Sequence, residues 1–192
     1  MSAVKDVVNA ITEKLYTQMA YSETKADLAT LRRATARPAT ENLPALLVLY
    51  ENMDDIPNTE VTAQDEATVY SLALFAQAQH GNKAYVQGNC SVGALVGALY
   101  KLSPASKQDK KDKKDKSAQA LRVIETKKDM RHVALAIQRL IGMAQQEHRG
   151  VNVRLDYGRL AEELYLMQRS RQDKVRILGR WVKDAYKYGG GK

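Results

Sequence analysis

The 192-residue chain has a single cysteine, Cys90, which excludes an intramolecular disulfide framework and points to a reducing compartment. Aromatic residues make up only 6%, with one Trp and one Phe. A core must therefore come mainly from aliphatic side chains and alanine, a composition that favours helices packed on helices. No apolar run reaches the roughly 20 residues of a membrane span, and the opening "MSAVKDVVNA" lacks the apolar stretch of a signal peptide. The expectation is a cytoplasmic protein with no membrane partner. The three histidines, His80, His132 and His148, are scattered without metal-ligand spacing. No Gly-rich phosphate loop and no His-Glu-x-x-His motif occurs. Glu162 and Glu163 are adjacent, so they face different parts of a helix surface and make no catalytic pair. No catalytic residue, metal or cofactor is expected.

What is present in excess is positive charge, and it is unevenly placed. The chain carries a net +8. Residues 1–100 hold 7 Lys and Arg against 11 Asp and Glu, a net −4, whereas residues 101–192 hold 23 against 11, a net +12. A basic half joined to a mildly acidic half implies a polyanionic partner, with nucleic acid the commonest such partner.

Apolar residues recur at helical spacing. Val4, Val7, Val8, Ile11 and Leu15 define a first helix. A second contains "DLATLRRATARP" (27–38) and should stop near Pro38. Further helices are predicted over 43–50, over 62–79, and from Ser91, a plausible N-cap, onward. Gly93 and Gly97 lie four apart and would let two helix backbones approach closely. Residues 103–117, "SPASKQDKKDKKDKS", hold 6 Lys and 3 Asp and have nothing to bury, so they read as a solvated linker. A basic arm brushing phosphates is the sharper alternative. Three more helices are predicted beyond it: one lined by Val133, Ile137, Leu140 and Ala144, one opened by Asp156, and one over about 172–188. No alternating strand pattern is found. The fold class expected is all-α: two small helical bundles, a lobe over 1–102 and a basic lobe over 118–192, joined by the charged linker 103–117.

The last helix gives the sharpest pattern. Arg176, Arg180, Lys183 and Lys187 fall within roughly 60° of one another at 100° per residue, opposite Leu178, Val182 and Ala185. Such a ridge spans roughly 16 Å, enough for two or three phosphates of one strand. The plainer alternative is a solvated amphipathic face. A weaker ridge joins Lys128, His132 and Arg139, with Arg131 to one side. In the second helix Arg33 and Arg37 stand i, i+4 apart, and Lys25 lies one heptad before Arg32.

The order of these features resembles a known family, CasB, the small subunit of the type I-E CRISPR surveillance complex Cascade. The resemblance rests on "LRRA" (31–34), "CSVGALVGALYKL" (90–102), "AIQRLIGMA" (136–144), "LDYGRLAEEL" (155–164) and the ending "KVRILGRWVKDAY" (174–186). Tyr157 stands where the family often has tryptophan, and the Lys/Asp linker is longer than the family pattern. The resemblance implies an all-helical, non-catalytic subunit, present in two copies beside the other Cascade subunits. Its basic surfaces would steady the crRNA–target DNA heteroduplex and the displaced strand of the R-loop. Carried over by position, it implies nucleic-acid contacts at Arg32, Arg33, Arg139, Lys174, Arg176 and Arg180. Lys128, Arg131 and Lys83 match only a basic neighbourhood, and Lys183 and Lys187 come from the ridge alone. Leu160, Leu164 and Trp181 would be core. The alternatives are a helical adaptor for an acidic protein surface that never touches nucleic acid, and a small nuclease.

Overall fold

The computed structural model describes residues 3–53, 60–102, 119–146 and 154–189. Helix α1 (Ala3–Thr17) turns Val4, Val8, Ile11 and Leu15 inward, all nearly fully buried. Helix α2 (Ser22–Arg32) is followed at once by a 3-10 turn, Ala34–Ala36, and a second one, Ala39–Glu41. Asn42 then caps α3 (Leu43–Glu51), its side chain accepting from the Ala45 N–H. Helix α4 (Ala63–Gln79) opens on a reciprocal cap in which the Thr62 N–H donates to Asp65 at 2.7 Å and the Asp65 N–H donates to Thr62 Oγ1 at 3.2 Å. Ser91 caps α5 (Val92–Leu102) by accepting from the Ala94 N–H, as its type and place suggest. A short helix over 119–125, α6, leads to α7 (Met130–Gln146). Asp156 caps α8 (Tyr157–Arg169), accepting from the Arg159 N–H at 2.8 Å, and Ser170 caps α9 (Arg171–Gly189).

The protein is all-α: nine α-helices and no strand occur among the described residues, with one isolated backbone bridge between Cys90 and Leu155. Helix α4 is the central element. Every residue from 67 to 76 is buried, and α1, α2, α3, α7 and α8 pack around it. A helix apolar on all sides must be interior. The remaining pair, α5 on α9, is anchored by Gly93, where any β-carbon would collide with the Trp181 carbonyl. The indole of Trp181 is fully buried between these helices and α8.

Three sequence expectations meet differences. The region after the linker contains four helices rather than three, because Leu121 and Ile124 of α6 are buried although their segment is too short to show a period. Helix α2 ends at Arg32, so Arg33 and Arg37 are not one turn apart on a helix; Arg37 is extended, at φ −130° and ψ 160°. Lys128 lies in the turn before α7, not on the helix, so it forms no helical ridge with Arg139. Residues 1–102 and 118–192 share packing across the linker: α8 lies on α1 and α4, α7 on α4, and α9 on α5. Their buried apolar side chains form a single cluster. The linker 103–117 lies outside the described residues.

Candidate nucleic-acid interface

The structure gathers cations that are distant in sequence around one cleft of about 350 Å³ between α2 and the loop after α4. Its floor includes Met19, Leu28 and Ala76, and its rim carries Lys25, Arg32, His80 and Lys83. No acidic side chain lines it. Lys25 and Arg32 share a face because they are seven residues, two helical turns, apart. Lys83 is brought back toward them by a loop with two fixed points. Gly81 takes φ +79°, a left-handed conformation that costs glycine little. Gln79, itself buried, donates from Nε2 to the carbonyls of Asn82 (2.7 Å) and Ala84 (3.0 Å) and accepts from the Val86 N–H.

Just past this rim, Arg33 is exposed as the C-cap of α2, and Arg37 is exposed after the first 3-10 turn. Neither they nor Arg32 and Lys83 take part in an ion pair among the described residues. The same is true of Lys128, Arg139, Lys183 and Lys187, all exposed. Cations without carboxylate partners keep their full charge toward an anion.

Four of the residues expected to touch nucleic acid are occupied within the protein. The ammonium of Lys174 donates to the carbonyls of Glu125 (2.9 Å) and Lys127, closing the end of α6. Burial lowers its pKa, against the pull of Glu125. Arg131 donates from Nε to the Thr35 carbonyl (3.1 Å) and from Nη2 to that of Ala36 (2.8 Å). Arg176 pairs with Asp173 at 2.8 Å, one turn earlier on its own helix. Arg180 lies 3.4 Å from Glu163 of α8. The ridge on α9 is therefore half neutralised. His132 is likewise tied to Asp129, whose carboxyl is held below its ordinary value chiefly by the His132 backbone N–H.

The residue that sequence reasoning missed is Glu163. Its side chain is 3% exposed and accepts from Trp181 Nε1 at 2.7 Å and from Arg159 Nε at 3.0 Å. Burial pushes its carboxyl above the ordinary value, opposed by Arg159, the Trp181 N–H and Arg180. Two signals pointed to it: Arg159 stands four residues earlier, and a buried indole N–H needs an acceptor. A second cleft, of about 360 Å³, is lined by Lys5, Arg159, Glu162, Glu163, Leu166, Arg176 and Arg180. All four of its cations have partners, Lys5 with Asp156 at 3.6 Å and the others as given above. It is a cross-linked seam, not an open basic groove.

Comparison with known proteins then bears on the whole chain. The family model for CRISPR-associated protein Cse2 matches residues 27–186. The chain belongs to the Cse2 family. That makes it a subunit of the CRISPR Cascade complex, in a family of structural subunits. Among solved structures, CasB from Thermobifida fusca is similar in fold, with a TM-score of 0.71 and 18% sequence identity over 98% of this chain and 99% of that one. No curated protein sequence matches. The Cse2 match takes in Arg32, Arg33, Arg37, Lys83, Arg176, Arg180 and Lys183, and leaves Lys25 and Lys187 outside it. No helix of the described residues is long and apolar enough to cross a membrane.

Proposed function

We propose that this chain is a non-catalytic structural subunit of a type I-E Cascade complex that grips nucleic-acid backbone. In that role it steadies the crRNA–target heteroduplex and the displaced DNA strand while the R-loop opens. Its partners are the other Cascade subunits, a second copy of itself, crRNA and target DNA, in the cytoplasm. R-loop opening is close to balanced in free energy, so a few backbone contacts suffice to shift it. Contacts to phosphate need charge and position but no base recognition.

The observation that carries this reading is the acid-free rim of Lys25, Arg32 and Lys83, continued along the chain by Arg33 and Arg37. Lys183, Lys187, Arg139 and Lys128 add exposed charge elsewhere. Arg176 and Arg180 contribute less, because Asp173 and Glu163 already neutralise them.

The test is a charge reversal, Arg32→Glu with Lys83→Glu, in the assembled complex bound to a matched target duplex. Affinity should fall, and the slope of log affinity against log salt should flatten by roughly 0.7 to 0.9 for every phosphate left without its cation. The pair Arg176→Glu and Arg180→Glu should flatten it less. An unchanged slope in the first variant would overturn the reading. An adaptor that binds only an acidic protein surface would also give no crosslink between this subunit and photoactivatable target DNA.

A further inference from the structure

The 3-10 turn Ala34–Ala36 after α2 is held by side chains from outside it. Asn42 Nδ2 donates to the Ala34 carbonyl at 3.2 Å. Arg131 of α7 donates to the next two carbonyls, those of Thr35 and Ala36, at 3.1 and 2.8 Å. Thr35 Oγ1 donates to Gln138 Oε1, also on α7, at 2.8 Å. The Ala39 N–H donates to the buried hydroxyl of Tyr70 on α4 at 3.1 Å. Arg131 and Gln138 are seven residues apart and so share one face of α7. Three consecutive carbonyls thus have partners outside the turn, while Arg33 and Arg37 at its two ends point into solvent unpaired.

We propose that Arg131 and Gln138 are positioning residues: they clamp the 34–36 turn so that Arg33 and Arg37 are presented to phosphate, and Arg131 itself touches no nucleic acid. The inference rests on the functional reading above. A guanidinium engaged by two carbonyls through its planar fork has fixed orientation. An arginine on a loose turn would lose conformational freedom on each phosphate contact. Clamping the turn in advance removes that loss, so affinity gains from residues that never meet the ligand.

The experiment uses Cascade assembled with variant subunits and a matched target duplex, titrated between about 50 and 200 mM salt. Thr35→Val and Gln138→Ala change no charge. Each is expected to weaken binding about threefold to tenfold, the size of one hydrogen bond expressed as an equilibrium ratio. Each should also flatten the salt slope, which a neutral residue does only by acting through charged ones. Both effects should vanish in an Arg33→Ala, Arg37→Ala background. Arg131→Lys keeps the charge but loses the fork, and is expected to behave like Gln138→Ala. Thermal unfolding and incorporation into the complex check that each variant is folded. Should Arg131→Ala fail to assemble, Thr35→Val decides.

The proposal is overturned if the neutral variants leave affinity and slope unchanged while Arg33→Ala with Arg37→Ala lowers both; the functional reading then stands and the clamp does not. It is overturned also if Arg131→Lys keeps the full slope, or if Arg131→Ala acts additively with the Arg33 and Arg37 changes, since Arg131 then meets phosphate itself. If removing Arg33 and Arg37 has no effect, the turn is not part of the interface, and the clamp has no role in binding. The Arg32 and Lys83 reversals judge the wider reading separately.

Discussion

At the scale of single residues, the most consequential is Glu163. A carboxylate with 3% exposure carries a large desolvation cost, offset by the Trp181 and Arg159 hydrogen bonds and the nearby Arg180. Removing it with Glu163→Ala leaves a buried indole N–H without a partner and a cavity beside it. The expected loss is about 3 kcal/mol of stability, measured by urea unfolding. The pH dependence has a definite sign. Burial raises the folded carboxyl above its ordinary 4.5, so at pH between the unfolded and folded values the folded state holds more proton than the unfolded state does. This group's contribution is therefore full below about 4.5 and declines as pH rises through the folded value. Glu163→Gln does not titrate, so its stability relative to the wild-type chain should improve from pH 4 to pH 6. A difference that stays flat, or moves the other way, would show that the three donors outweigh burial.

At the scale of elements, the contact of α5 with α9 depends on one missing side chain. A β-carbon at Gly93 would meet the carbonyl of Trp181, and backbone cannot yield as a flexible side-chain end can. Gly93→Ala gains helix propensity, at most about 1 kcal/mol. Overpacking and separation of the helices should outweigh that gain, giving a net loss of about 1–3 kcal/mol. A melting temperature at or above wild type would refute the close approach. Sequence spacing pointed to Gly93, the first of two glycines four apart, because small residues at that interval let helix backbones approach closely. It revealed the helices for a similar reason: α1, α7 and α9 each bury one stripe, and a stripe has a period. Where a helix buries every side, as α4 does over 67–76, or is two turns long, as α6 is, the period carries less information. The site was less legible still. Helical spacing placed Arg176 and Arg180 on one ridge, but the acid that neutralises Arg180 comes from α8, on the far side of the turn between the two helices. The same limit hid the cleft, because Arg32 and Lys83 meet only once α2 has packed on α4. Arg131 shows the sharpest contrast: its charge suggested a phosphate, and its neighbours in space are carbonyls.

At the scale of the whole molecule, the question is what the charge asymmetry does to a chain whose two halves share a core. The first hundred residues are net −4 and the rest net +12, so the halves attract at long range as well as packing directly. Tyr157 from the second half is fully enclosed against Phe75 of the first, ring centroids 5.5 Å apart, and the Ser71 hydroxyl donates to its carbonyl at 2.6 Å. Trp181 closes on Gly93 in the same way. Each buried aromatic or aliphatic side chain of this kind stabilises by about 1.5–3 kcal/mol, and each of these takes part of its cover from the other half. A protease site placed in the 103–117 linker should therefore cut the chain without dividing the molecule. The two pieces should co-elute on gel filtration, unfold in one transition, and enter the Cascade complex together. Expressed alone, residues 1–102 should expose the surfaces that α8 and α9 cover, and should aggregate or fail to unfold cooperatively. If instead the cut pieces separate at micromolar concentration and each melts cooperatively, the halves are independent domains. The clamp of Arg131 on the 34–36 turn would then be a contact between bodies free to move apart. The linkage of the basic half to the Arg33 and Arg37 turn requires the shared core, because only a rigid join lets a residue of α7 set the geometry of an arginine in the opposite half of the chain.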